Sequence, residues 1–261
     1  MRPPLSNSRV LITGAGVRIG RRIARAFAEA GAQVVVHYNR SEREAAVLVE
    51  ELNAIHGGHE CVQADLLDPA GRRNLIPELL RGGKSLNFLV NNASVYRRCP
   101  LVQVDEDRLR RDYEINFVAP FLLMRDFSRY CEEGCIINLL DQRVATVDPS
   151  ASSYGFAKKS LRDATEAAAV EWAPRIRVNA VAPGIVLPPP GVAADKMAPL
   201  LRHVPMAQTS SPEEIADACL FLASSKTITG QIIYVDGGMH LVGAAATAEV
   251  DEADYASDGE G

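Results

Sequence analysis

Tyr154 and Lys158 stand four positions apart in "SYGFAKK", near the start of a helical pattern. On a helix, residues four apart share a face. An ammonium beside a phenol favours the phenolate, so the pair is expected to bring the phenol's pKa from about 10 toward neutrality. Such a tyrosine donates a proton and is recharged near pH 7. Lys159 lacks this phase and reads as solvated. Asp141 closes the preceding apolar run, "CIINLLD". An ionised carboxylate only accepts hydrogen bonds, and it repels a developing oxyanion. It therefore disfavours plain ketone reduction. It suits a substrate that presents N–H groups, or a C=N bond whose nitrogen must be protonated. The competing reading makes Asp141 a cap on the following loop, in a chain that has lost catalysis.

These residues need a scaffold. Apolar runs of strand type fall at 9–14, 33–39, 61–65, 86–93, 135–141, 175–184 and 231–238. The early runs are continuously apolar, as strands covered on both faces should be. Amphipathic helical stretches lie between them. "SEREAAVLVEELNAIHGG" opens with Ser41 and has Glu44 three residues on, the pattern of a capping box. "SPEEIADACLFLAS" has Ser211 as cap, Pro212 at the first helical position and acids in the first turn. Strand–helix alternation through seven strands gives an α/β fold with a doubly wound parallel sheet. Asn116, in "YEINFVAP", is a polar amide in an apolar helical pattern and needs a partner. Pro120 is expected to kink that helix.

A nucleotide site is written at the first strand's end. "VLITGAGVRIG" places Gly14, Gly16 and Gly20 between strand and helix. Glycines let the backbone approach a pyrophosphate, and the helix N-terminus supplies N–H groups and positive dipole. NAD sites usually carry an acid at the end of the second strand. Here that position reads "HYNRS", His37 to Ser41, with no acid. Arg40 and Ser41 suit a 2′-phosphate, and Arg18 adds a second cation, so NADPH is the expected cofactor. Asp65, after the third strand, either receives the adenine amino group or caps the turn.

Bulk properties exclude several classes. The chain has 261 residues and a net charge of −5, with 47 % apolar and 23 % charged residues. Nothing marks a general nucleic-acid or membrane-surface binder, and no run approaches the roughly 20 apolar residues of a membrane span. Five cysteines without a C-x-x-C pair read as buried free thiols of a reducing cytosol, hence a cytoplasmic protein with no metal. The segment 187–210 is Pro-rich and reads as a stiff lid over the substrate. Residues 243–261 are small and acidic and read as a disordered tail.

The ordered set "TGAGVRIG", "NNAS", "INF", "YGFAK", "RVNAVAPG" and "YVDGG" resembles the short-chain dehydrogenase/reductases over residues 8–240. The resemblance implies one Rossmann-type domain over residues 1–242, a nicotinamide cofactor, a small-molecule substrate and a homo-oligomer, a tetramer before a dimer. It assigns catalysis to Tyr154, Lys158 and Asn116, with Lys158 also holding the nicotinamide ribose. It extends the cofactor contacts to Ile19, Tyr38, Asn39, Leu66, Asn92, Ala93, Ser94, Pro183, Gly184 and Ile185. Arg18 with "HYNRS", "NNASVY" and Asp141 in place of the family's usual Ser is similar to the pteridine and dihydromonapterin reductases. That likeness implies a pterin stacked on Tyr96, beside Ser94 and Arg18. The alternatives are a reductase of another carbonyl or imine, and a non-catalytic NADP-binding regulator.

Overall fold

Strands covered on both faces send alternate side chains into two cores, and the first strands of this chain do so. Val10 and Ile12 enter one core and Leu11 the other, as do Val34 and Val36 against Val35. In the computed structural model, which describes residues 5–188 and 198–242, seven strands form one sheet. They are β1 (Arg9–Ile12), β2 (Gln33–Tyr38), β3 (Glu60–Gln63), β4 (Phe88–Asn91), β5 (Gly134–Leu139), β6 (Ile176–Pro183) and β7 (Ile232–Val235). Their order is β3-β2-β1-β4-β5-β6-β7 and every pair is parallel.

Helices α1 (Arg18–Glu29), α2 (Glu42–Asn53), α3 (Pro69–Leu79), α4 (Glu106–Tyr113), α5 (Ala119–Tyr130) and α6 (Ser152–Glu171) follow the strands in turn. A single turn, α7 (Ala198–Leu201), precedes α8 (Pro212–Ser224), and α9 (Met239–Val242) ends the described chain. Residues of α1, α2 and α8 pack on one face, including Phe27, Leu48 and Leu222. Those of α3, α5 and α6 pack on the other, including Ile76, Phe127 and Leu161. Burying each such side chain contributes about 1.5–3 kcal/mol. No helix among the described residues is long and apolar enough to cross a membrane.

Not every local expectation holds. Ser211 and Glu214 form a full capping box at α8, but Ser41 makes no side-chain cap at α2. The Ser41 hydroxyl instead lies against the glycine turn, where a Cβ on Gly16 would meet it at 3.1 Å. Cys61 is exposed rather than buried, because β3 is the sheet's edge strand. Around Pro120 the helical run is irregular: a π-turn, Glu114–Val118, leads in helical backbone from α4 into α5, whose first turn holds the proline. The centre of the expected lid, 189–197, and the acidic tail, 243–261, lie outside the described residues.

The order β3-β2-β1-β4 makes the chain reverse direction beside β1, so a crevice opens outside the carboxyl ends of β1 and β4. Its floor is tightly fitted. Gly14 has φ +62°, and a Cβ on Gly20 would fall 2.3 Å from the Gly14 carbonyl and 2.6 Å from Asn92 Nδ2. Backbone cannot yield there, so Gly20→Ala should cost about 3 kcal/mol in urea unfolding and weaken nucleotide binding. Gly155→Ala, where a Cβ meets nothing within 4 Å, should be neutral or stabilising by up to about 1 kcal/mol.

Candidate active site

The turn after β1 is locked to the end of β4 by one hydroxyl. Thr13 Oγ1 accepts the backbone N–H groups of Asn92 and Ala93, both at 2.9 Å. Asn92 Nδ2 donates in return to the carbonyls of Thr13 and Gly14. From below, the Gly14 N–H donates to His37 Nδ1 and His37 Nε2–H donates to the Ala64 carbonyl. Burial holds that imidazole neutral, with its pKa lowered to about 4. His37 thus supports the turn rather than reaching into the crevice. Leu66 is likewise buried in the core, and its carbonyl accepts from Arg72. The carboxylate of Asp65 accepts the Leu67 N–H at 2.9 Å, which is the capping alternative.

The remaining nucleotide positions line the crevice. Helix α1 begins without a side-chain cap, and its first turn holds no acid. Its leading N–H groups therefore have no side-chain acceptor among the described residues, which fits an incoming phosphate. Tyr38 ends β2 and Asn39, Arg40 and Ser41 follow it, and Arg40 is exposed with no ion pair or hydrogen bond among the described residues. Arg18 has φ +52° and donates through Nη2 to the Pro188 carbonyl at 2.9 Å, bridging the turn to the chain beyond β6. Pro183, Gly184 and Ile185 lie where β6 ends. A Cβ on Gly184 would strike Asp236 at 2.7 Å, so only glycine lets these two ends approach.

The chemical residues converge from β5 and α6. Tyr154 is buried, and its hydroxyl donates to Asp141 Oδ2 at 3.0 Å. Lys158 Nζ donates to the Leu139 carbonyl at 2.7 Å and lies 5.8 Å from the Tyr154 ring centroid. Asp141 also caps the turn that follows, accepting the Arg143 N–H at 2.9 Å. Tyr96 stands edge-to-face on Tyr154, with ring centroids 4.9 Å apart. The Ser94 hydroxyl donates to Asn116 Oδ1 at 2.6 Å. The Asn116 amide N–H groups go to the carbonyls of Val95 and Asp112. The π-turn carries Asn116, so this amide ties the Tyr96 loop to the α4–α5 junction. Lys159 is half-buried and donates to the Thr146 carbonyl at 2.7 Å, which corrects its reading as a solvated residue.

Electrostatics correct a second expectation. The Tyr154 pKa is not lowered toward neutrality but raised well above its usual value, first by burial and then by the charge of Asp141. Burial also acts on Lys158, whose pKa it brings down to about 8. Sequence reasoning also passed over Arg143. Its Nη1 lies 3.2 Å from both oxygens of Asp141 and its Nε 2.8 Å from Asp148 Oδ2. Its guanidinium carbon sits 5.1 Å from the Tyr96 ring centroid. The signal was an arginine two residues after a carboxylate, at a spacing no shared motif covers.

Comparisons with known proteins show the family. The family model described as enoyl-(acyl carrier protein) reductase matches residues 14–240. The chain belongs to the short-chain dehydrogenase/reductase family. It is 34 % identical over 239 residues to the 3-oxoacyl-[acyl-carrier-protein] reductase FabG of Staphylococcus aureus, covering 88 % of this chain and 97 % of that one. The crystal structure of FolM alternative dihydrofolate reductase 1 from Brucella canis, complexed with NADP, superposes with TM-score 0.83 at 32 % identity, covering 90 % of this chain and 95 % of that one. A gluconate 5-dehydrogenase from Burkholderia cenocepacia, in complex with NADP and tartrate, gives TM-score 0.81 at 30 % identity, covering 91 % and 97 %.

The buried lysine yields a stability test. Below pH 8 Lys158 is charged folded and unfolded, and the full cost of burying that charge falls on the folded state. Between about 8 and 10.5 the unfolded chain binds more protons, so this contribution to stability rises with pH. Lys158→Met should therefore be more stable than the wild type by about 1–3 kcal/mol at pH 7. The margin should shrink by pH 10, as read by urea denaturation at both pH values, while reductase activity is lost.

Proposed function

We propose that this protein is an NADPH-dependent reductase of a pterin-type heterocycle. One observation carries the reading. The Tyr154 hydroxyl rests on a carboxylate, Asp141, at the position where the family usually offers a second hydroxyl. A carboxylate there is an acceptor for substrate N–H groups, and pterins present both N–H groups and C=N bonds. The FolM neighbour, named as an alternative dihydrofolate reductase, lends support.

The cofactor's seat follows from the crevice. The glycine turn and the uncapped start of α1 receive the pyrophosphate, while Arg40 and Ser41 receive the 2′-phosphate. Two neighbours of similar sequence hold NADP. When bound, NADPH supplies the hydride. Tyr154 delivers the proton to the substrate nitrogen, and Asp141 orients the hydroxyl and accepts a substrate N–H. Lys158 fixes the end of β5 and holds the nicotinamide ribose. Tyr96 forms the aromatic wall against which the heterocycle stacks.

One observation favours another carbonyl substrate. Arg143 pairs with Asp141, and this counter-charge lessens the repulsion of an oxyanion at the site. FabG and the gluconate dehydrogenase are as similar to the chain as FolM is. NADPH oxidation measured with dihydropterins, dihydrofolate, cyclic imines and simple ketones separates the readings. Turnover of dihydropterins well above ketones is expected, and turnover of ketones alone would remove the pterin assignment. Asp141→Ser should lower pterin turnover roughly 100-fold while leaving NADPH affinity nearly unchanged. Arg40→Ala should raise the KM for NADPH at least about tenfold and leave that for NADH within about twofold, as expected for the loss of one charge-assisted phosphate contact. Equal shifts for both nucleotides would place the 2′-phosphate elsewhere.

A further inference from the structure

Arg143 has no part in the reaction as written so far, yet its one guanidinium touches three walls of the site. Nη1 spans both oxygens of Asp141, Nε holds Asp148, and the planar group lies over Tyr96. Asp148 is itself pinned by the N–H and hydroxyl of Ser150, at 2.9 and 2.6 Å. The Ser150 carbonyl accepts the Cys99 N–H at 2.7 Å, three residues beyond Tyr96. The network thus closes on itself: Tyr96 loop, Asp148 loop, Arg143, Asp141, Tyr154.

Charge makes this network more than a brace. A carboxylate against a phenol retains the phenol's proton, and Tyr154 can serve the reaction only by releasing it. Among the charges bearing on Tyr154, Asp141 and Tyr96 hold the proton on, whereas Arg143 acts in the opposite sense. Burial opposes the charge on Arg143, but its two carboxylates outweigh that cost and keep it cationic. A lysine could not replace it fully, because a single ammonium cannot bridge Asp141 and Asp148 in the plane of a fork.

We propose that Arg143 is a positioning residue for proton delivery: it balances the charge of Asp141 so that Tyr154 releases its proton, and it fixes Tyr96 as the substrate's aromatic wall. In the step it assists, hydride passes from NADPH to the substrate carbon and the double bond's electron pair moves to the attached nitrogen or oxygen. That atom takes the proton from the Tyr154 hydroxyl, leaving NADP⁺ and a phenolate near Arg143 and Lys158. The inference rests on Tyr154 as the proton donor and holds for a pterin or a carbonyl substrate.

The test compares Arg143→Ala, Arg143→Lys and Tyr154→Phe with the full-length wild type, on whichever substrate of the panel the wild type reduces fastest. Arg143→Ala should lose roughly 30–100-fold in kcat, with its NADPH Kd within about twofold of wild type. Arg143→Lys should recover part of that loss. Low-millimolar guanidinium should raise the activity of Arg143→Ala and leave Tyr154→Phe unaffected. Three results would overturn the inference: kcat within about threefold of wild type, loss of NADPH binding and thermal stability in step with kcat, or no rescue by either lysine or guanidinium. Turnover of ketones without dihydropterins would end the pterin reading, with Arg143 then judged on the ketone. A wild type that reduces nothing in the panel would end the assignment of Tyr154 as donor, and this inference with it.

Discussion

The bond from Lys158 Nζ to the Leu139 carbonyl holds the chemical half of the molecule in place. It joins the first turns of α6 to the end of β5 and so sets Tyr154 against Asp141, two residues past Leu139. The bond is costly, because the ammonium is buried and only one carbonyl hydrogen bond is evident among the described residues. The lowered lysine pKa reflects that burial. Everything on the substrate side of the crevice is referenced to this point. Tyr96 packs on Tyr154, Arg143 on Tyr96, and the Ser94–Asn116 bond closes the loop behind them.

The nucleotide half is organised on a different principle. There the side chains serve the backbone. Thr13 and Asn92 join two strand ends, His37 supports Gly14 from beneath, and the glycines clear a path for an incoming phosphate. The two halves meet just beyond β4, where Asn92 bonds the glycine turn and Tyr96 packs on Tyr154. Arg18 reaches from the glycine turn to the Pro188 carbonyl and spans the same division from the other side. The second half gathers Asp141, Tyr96 and Arg143 around the Tyr154 hydroxyl and ring.

What could be read from the sequence follows from what each signal encodes. Seven strands, the glycine turn and the Ser211–Glu214 box were legible because each depends on residues adjacent in the chain. Ser41 misled because its hydroxyl faces Gly16, a neighbour that no local pattern reveals. The Tyr154–Lys158 spacing correctly placed two groups on one helix face. It could not show that burial and Asp141 would raise the Tyr154 pKa. Arg143 was invisible for the same reason: its partners Asp148 and Tyr96 are brought to it by the fold. The π-turn at Asn116 likewise appears only once the loop that its amide satisfies is in position.

The edge position of β3 has a practical corollary. Cys99, Cys131, Cys135 and Cys219 are buried, and burial pushes the thiols of Cys131 and Cys135 up to about 11, where they are poor nucleophiles. Cys61 alone faces solvent, on the strand that leads to Asp65 at the crevice's outer end. The natural chain therefore carries a single addressable thiol at the rim of the sheet. A fluorophore or spin label attached there, without any cysteine having to be added or removed, would view the outer end of the crevice while leaving the buried Tyr154 and Lys158 untouched.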